Sequence, residues 1–196
     1  GLIEKREHIT TQWFKDEGDA IILLGDPVDT ADPVLGLGGS AFLQTIHGRK
    51  TGTPPRCDLL KEKDLHQTLR GLIFTGSIKS AHDCSEGGLA VALAECCISQ
   101  QVARDTPRLI GAEIDLSTMT SLRLDALLFG ETQSRVVITT SPLDAIKVLE
   151  RAKLLGVPAC GIGMVKGDQL KLKTSAGEWS WSVAGLHDGW WNAIAR

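Results

Sequence analysis

The sequence of 196 residues predicts an α/β (α+β) fold, in which helices pack on a mixed β-sheet. Short apolar runs bounded by glycine or proline are typical of buried strands, and they alternate with segments of helical periodicity. Close to the C-terminus, two strand-like runs flank residues 175–177 and predict a hairpin, which adds antiparallel neighbours to the sheet. With 42% hydrophobic and 23% charged residues, the composition is that of a globular domain.

The strongest strand signals are an apolar run ended by glycine at 19–25 and a run rich in β-branched residues at 134–140. A shorter apolar run at 72–78 also predicts a strand, which leads into a polar turn at 82–88. The remaining predicted strands are 109–116, 157–165, 169–173 and 178–183.

The predicted helices are 40–47, 58–72, 89–99, 121–129, 141–155 and 184–195. Asp58 is a suitable N-cap for the second of these, and the pair Ser141-Pro142 predicts a clean start for the fifth. Residues 1–17 are mixed and polar, so we expect a linker or the remnant of a preceding domain, with the folded domain at 18–196. The first residue is glycine, and we expect the chain to be a piece of a longer protein.

Charge and cysteine content restrict the classes of partner. The formal net charge is −3 and the basic residues are scattered, so neither a nucleic-acid nor a membrane partner is expected. The five cysteines are an odd number with no Cys-x-x-Cys pair, which favours reduced thiols and a cytoplasmic location.

The most informative segment is Ser-Ala-His-Asp-Cys-Ser-Glu-Gly-Gly-Leu at 80–89. Two glycines at a strand-to-helix junction let the backbone approach a ligand and direct free amides at a phosphate. A structural interpretation is equally available, in which Ser85 caps the helix and the glycines only allow close packing.

Two further segments suggest ligand contacts. Gly38-Gly39-Ser40 is a second glycine turn before a helix, although Ser40 or Gly39 in such a turn can simply be a cap. Glu131 and Arg135 lie in a Phe-Gly-Glu-Thr-Gln-Ser-Arg segment before a strand, where they are able to meet a ligand, to pair with each other or to cap a helix end.

Other chemistries fit the sequence less well. His82 has no second histidine at metal-ligand spacing, which argues against zinc, and no Gly-x-Ser-x-Gly elbow accompanies Ser85. His82 therefore remains a general base, a ligand contact or a structural histidine. Cys84 is a weaker candidate for a nucleophile.

Taken together, segments 80–95, 37–40 and 129–137 resemble the C-terminal domain of phosphoribosylformylglycinamidine synthases, within the aminoimidazole ribonucleotide synthetase-like superfamily. The similarity spans roughly residues 18–170 and implies that superfamily's C-terminal-domain fold. It also implies a role in purine biosynthesis, with ATP and Mg²⁺ as cofactors. In that reaction, the formyl amide oxygen of formylglycinamide ribonucleotide is phosphorylated and ammonia from glutamine displaces the phosphate. The implied partners are the synthase's other domains and a glutaminase domain or subunit.

The resemblance also assigns roles to residues. It makes Asp83 the candidate Mg²⁺ contact and His82 the candidate catalytic residue. The candidate nucleotide-binding residues are Ser85, Gly87, Gly88, Gly38, Gly39, Ser40, Glu131 and Arg135. The family commonly has aspartate where this chain has Glu86, which puts a metal contact by that residue in doubt.

Rival interpretations stay open at this stage. The family's N-terminal nucleotide-binding domain is absent from these residues, so we expect the chain alone to be inactive. It is then an enzyme domain, a non-catalytic packing or auxiliary nucleotide-binding module, or part of another superfamily member such as a small-molecule kinase. An open turn at 83–88 that binds nucleotide phosphate would separate the first interpretation from simple packing.

Overall fold

The computed structural model describes residues 3–98 and 109–193. The helices are α1 Ala41–His47, α2 Leu59–Phe74, α3 Gly88–Cys97, α4 Leu124–Phe129, α5 Ala145–Leu154 and α6 Val183–Trp191, preceded by a 3-10 turn at Arg6–His8. The strands are β1 Ala20–Leu24, β2 Ser80–Asp83, β3 Ala112–Asp115, β4 Val136–Thr140, β5 Ala159–Val165, β6 Gln169–Thr174 and β7 Gly177–Ser182.

These strands form one sheet in the order β2-β4-β1-β5-β3-β6-β7. The pair β3 and β6 is parallel, whereas the other neighbouring pairs are antiparallel, as between β1 and β4. The mixed sheet predicted from the sequence is confirmed, including its hairpin of β6 and β7.

Helices cover both faces of the sheet, which is why β1 reads as a continuous apolar run. Ile21 and Leu23 point into a larger core with α3, α4 and α6, while Ile22 and Leu24 point into a smaller core with α2 and α5. The N-terminal segment also packs on the domain, since Phe14 is buried and Thr11 forms a parallel bridge with Ser80. Within the described part of the chain, none of the helices is both long and apolar enough to cross a membrane.

The predicted strand at 72–78 and the predicted turn at 82–88 both differ from the structure. The apolar residues at 72–74 end helix α2 instead of opening a strand, because Leu72 lies on the helix face that packs into the smaller core. The strand is β2, Ser80–Asp83, so His82 and Asp83 belong to a strand and the turn is confined to 84–87.

Helix α5 begins at Ala145 and not at Ser141. Ser141 instead forms a turn, in which its hydroxyl donates to the Asp144 carboxylate at 2.8 Å and its carbonyl accepts from Ala145 N. The predicted ends at Ser99 and Ala195 lie outside the described residues.

Candidate functional site

The sheet brings segments 80–95 and 129–137 of the resemblance together. Strands β2 and β4 pair antiparallel, with Asp83 opposite Val136, so the end of β2 meets the beginning of β4. Beyond this pair, Cys84 N donates to Arg135 O at 3.0 Å. The turn 84–87 therefore lies directly against segment 130–135.

The two glycines at the start of α3 both have left-handed backbones, with φ of 78° at Gly87 and 65° at Gly88. A Cβ on Gly88 would lie 2.6 Å from Gly130 O and 2.9 Å from Leu128 O. Both contacts are with backbone atoms that cannot move aside, so Gly88 allows the close approach of α3 to the end of α4. No side chain of the turn itself caps α3.

The cap comes instead from Glu131, in the segment before β4. Its Oε1 accepts a hydrogen bond from Gly87 N at 3.0 Å and another from Ala41 N at 2.8 Å. Ala41 is the first residue of α1, directly after the Gly38-Gly39-Ser40 turn. One carboxylate thus connects all three segments of the resemblance.

The Gly38-Gly39-Ser40 turn is held together locally. The fully buried Ser40 caps α1, because its hydroxyl accepts from Leu43 N at 3.3 Å and donates to Leu37 O at 2.8 Å. Gly38 is packed so closely that an added Cβ would lie 2.1 Å from Thr53 O, whereas Gly39 has open space around it.

Arg135 is buried, with 2% of its surface exposed, and its guanidinium faces backbone carbonyls. It donates to Thr132 O and Pro27 O, each at 3.0 Å, and also to Gly130 O. Burial lowers the pKa of Arg135 from its ordinary value. The side chain therefore braces the loops beneath the site.

Asp83 has the exposure that a metal contact requires. Its side chain is 71% exposed, and Ser85 Oγ donates to its Oδ2. Asp83, Ser85, Glu86 and Glu131 line a solvent-open cavity of about 450 Å³. Among the described residues, no group of three or more His, Cys, Asp or Glu side chains is arranged to hold a metal. One carboxylate still fits Mg²⁺ bound to a nucleotide, because that ion usually takes one or two carboxylates and completes its shell with phosphates and water.

His82 lies at the edge of this region. Its side chain is 14% exposed, and a 2.7 Å hydrogen bond joins Nε2 to Oε2 of Glu95 on α3. On the other side of the ring, Nδ1 faces Asp83, 3.7 Å from its Oδ1. The pair fixes the orientation of the imidazole ring relative to α3.

Cys84 is buried beneath the turn, and burial raises the pKa of its thiol to about 11. A nucleophilic cysteine needs a thiolate at neutral pH and an accessible sulfur, and Cys84 has neither.

The sequence analysis did not predict that residues of α2 line the cavity. Ser134, with a left-handed φ of 61°, donates from Oγ to Oε1 of Glu62 at 2.6 Å, and both line the cavity with His66. His66 Nε2 lies 3.5 Å from Oε2 of Glu62, one helical turn away. The spacing of Glu62 and His66 was visible in the sequence, but their position beside β4 depends on how α2 packs on the sheet.

This architecture defines a class of protein: a domain with helices on both faces of a mixed sheet and a polar cavity between the turn 84–87, the segment before β4 and helix α2. The sequence profile of the family described as "AIR synthase related protein, C-terminal domain" matches residues 16–174. The chain belongs to this family.

Its curated relatives are much longer proteins. Subunit PurL of phosphoribosylformylglycinamidine synthase from Anaeromyxobacter dehalogenans is 37% identical over 196 residues, covering 99% of this chain and 24% of that protein. The same subunit from Prochlorococcus marinus is 40% identical over 186 residues, covering 90% of this chain and 22% of that protein. The chain thus spans about a quarter of the length of these relatives.

Solved structures show the same fold. Thermotoga maritima PurL complexed with FGAR matches with a TM-score of 0.73 at 20% identity, over 93% of this chain and 30% of that one. The same protein complexed with ATP matches with a TM-score of 0.67 at 19% identity, over 93% and 28% of the two chains. The hydrogenase maturation protein HypE in complex with ATP matches at 0.54 and 19% identity, over 88% and 52%.

Proposed function

We propose that this chain acts as one domain of a phosphoribosylformylglycinamidine synthase, an ATP-dependent carbon–nitrogen ligase that amidates formylglycinamide ribonucleotide in purine biosynthesis. The observation that carries the proposal is the convergence of all three glycine- and glutamate-containing segments on one carboxylate, Glu131, beside an open polar cavity. Membership in the AIR synthase-related family and the PurL relatives support the same assignment.

In this proposal, the residues of the cavity bind and orient the nucleotide. The exposed carboxylate of Asp83 would hold Mg²⁺, and Ser85, which donates to that carboxylate, would keep it in place. Gly87 and Gly88, which follow the cavity residues Ser85 and Glu86, would bring the backbone close to the phosphates. The turn Gly38-Gly39-Ser40 would contribute from beside them, since Ala41 and Gly87 share the Glu131 carboxylate. When bound, ATP with Mg²⁺ supplies the phosphoryl group that activates the formyl amide oxygen.

His82 is proposed as the proton-handling residue. The hydrogen bond from Nε2 to Glu95 keeps the ring in one tautomer, which leaves Nδ1 as the atom that can accept or return a proton near Asp83. Arg135 supports the site from below by donating to the loop carbonyls of Thr132 and Pro27. Glu131 supports it by accepting from the amides of Ala41 and Gly87, which holds the two turns in place.

The other components needed for the proposed reaction are not supplied by this domain. A catalytic assembly needs the synthase's other domains, formylglycinamide ribonucleotide and a glutaminase domain or subunit that delivers ammonia. We propose that the 196-residue chain by itself does not turn over, and that the assembly works in the cytoplasm.

One observation favours a second candidate, an auxiliary nucleotide-binding or packing module. The Gly87 amide already donates to Glu131, and Gly88 N donates to Ser85 O at 3.0 Å. Neither amide reaches a phosphate unless its present partner releases it. A site whose amides stay engaged would serve the assembly by packing, without a catalytic nucleotide.

Calorimetric titration of the purified chain with Mg-ADP tests the proposal. We expect saturable binding that is weakened at least about tenfold by Asp83→Ala, because the metal contact is lost. Asp168→Ala is the matched control, since it removes an exposed carboxylate from the turn between β5 and β6. Absence of binding in the wild type contradicts a nucleotide site on this domain alone. Equal binding by wild type and Asp83→Ala contradicts the role of Asp83.

A further inference from the structure

The carboxylate of Glu131 forms an unusual contact, in which one oxygen accepts from two backbone amides far apart in the chain. The amides belong to Ala41 and Gly87, which are 90 and 44 residues away from Glu131. Each of them is at the N-terminal end of a helix, where backbone N–H groups have no partner within the helix.

The two helices depend on this carboxylate to different degrees. Helix α1 already has its own cap in Ser40, so the bond from Ala41 adds to a formed N-terminus. Helix α3 begins at Gly88, and its N-cap residue, Gly87, has no side chain to act as a cap. A negative charge is favourable at both N-termini because of the helix dipoles. Glu131 is therefore the group that holds the two N-terminal turns at a fixed separation.

The backbone of Glu131 is itself held in place. Its N–H donates to Gly36 O at 2.8 Å, and the Asp32 carboxylate accepts from Gly36 N at 2.8 Å. On the other side, Arg135 bonds to the carbonyls that flank Glu131, those of Gly130 and Thr132. The carboxylate thus extends from a braced loop and not from a freely moving one.

We infer that Glu131 is a positioning residue: it fixes the spacing of the two glycine turns for the nucleotide site, and does not itself contact the ligand. The part of the inference that concerns nucleotide binding rests on the proposed function. The coupling of the two turns through Glu131 does not, because it is a property of the chain alone. The opposite possibility is that the carboxylate occupies the place of a ligand phosphate and competes with it.

Hydrogen exchange followed by NMR tests the coupling without any ligand. In the wild type, the amides of Ala41 and Gly87 should exchange slowly. In Glu131→Ala, the exchange rates of both amides should increase together. Glu131→Gln keeps an acceptor oxygen in the same place and should retain most of the protection. The matched control is Glu17→Ala, because Glu17 also accepts from a distant amide, that of Gly167 at 3.0 Å. That variant should release Gly167 only. Unchanged protection of Ala41 and Gly87 in Glu131→Ala would overturn the inference.

Titration of the same variants with Mg-ADP tests the positioning role. We expect Glu131→Ala to weaken binding at least about tenfold, and Glu131→Gln to stay within about threefold of the wild type. Tighter binding by Glu131→Ala would show competition, and unchanged binding would show that Glu131 has no positioning role. Equal loss in both variants would show that the charge itself meets the ligand. Each of these results overturns the inference. Failure of the wild type to bind would instead count against the proposed function, and the exchange experiment would still decide the coupling.

Discussion

The two glycine turns of this domain look alike in the sequence and are built differently. The turn at 37–40 is completed by its own residues, since Ser40 caps α1 and also bonds back to Leu37 O. The turn at 84–87 is completed from elsewhere, since its amide at Gly87 needs the carboxylate of Glu131. A cap within the turn forms with the helix, whereas a cap from another segment forms only when the sheet has assembled β2 beside β4.

This difference means that the second turn should be more sensitive to changes in its surroundings. Gly88 lies against the backbone at the end of α4, and Cys84 is buried under the turn. In the first turn, Gly38 is close to the Thr53 backbone, but Gly39, the glycine with a left-handed backbone, has open space around it.

The largest expected effect comes from alanine in place of each turn's left-handed glycine. Gly88→Ala should lower the free energy of unfolding by about 3 kcal/mol, because it adds left-handed strain and a clash with Gly130 O. Gly39→Ala adds only the strain and should cost about 1 kcal/mol. Urea denaturation of both variants measures the difference. Equal losses would remove this distinction between the two turns.

A smaller effect is expected from removing the local cap. Ser40→Ala should lower the free energy of unfolding by about 2 kcal/mol, because a buried hydroxyl is lost along with its two hydrogen bonds. The control is Ser182→Ala at the exposed start of α6, where the cap is a single bond to Gly185 N at 3.2 Å. It should cost less than about 1 kcal/mol by the same measurement. A Ser40 variant as stable as the Ser182 variant would contradict the local-cap description.

The smallest effect is a decrease in the free energy of unfolding at alkaline pH. Of the two turns, only the one at 84–87 should contribute to it, through Cys84. Burial raises the pKa of Cys84 from 9.0 to about 11, so the folded state holds this proton more tightly than the unfolded state. The resulting stabilisation is complete below pH 9 and is lost as the pH rises towards 11. At pH 10, Cys84 should account for about 1 kcal/mol of the loss in the wild type, and Cys84→Ala should lack this share. Denaturation curves at pH 8, 9 and 10 check it, with the thiols of Cys96 and Cys97 as a background common to both proteins.

Strong local patterns were enough to predict most of the sheet. The apolar run of β1 and the β-branched run of β4 were confirmed, because such sequences are stable only when both faces are covered. The apolar run at 72–74 was misread because a short run of this kind also fits the end of a helix, and here the helix packing determined the outcome.

The candidate site was predictable as a set of segments but not as a geometry. Asp83, Gly87 and Gly88 stood out through residue type and spacing; Asp83 lines the cavity, and the two glycines follow the lining residues Ser85 and Glu86. The partners of Glu131 and Arg135 were not predictable, since each contacts backbone groups brought near by the sheet register. The role of Glu62 was also hidden, because it depends on the position of α2.

By itself, the sequence determined the fold class and most of the strands, and it offered a cap at Ser40 as one of two interpretations, because these depend on side-chain periodicity and on bonds between near neighbours. Only the tertiary structure decided that Glu131 caps the Gly87 turn, that Arg135 is buried under loop carbonyls, and that Gly88 must be a glycine. Those features depend on backbone groups that are distant in the chain and become neighbours only when β2 pairs with β4 and α4 packs against α3.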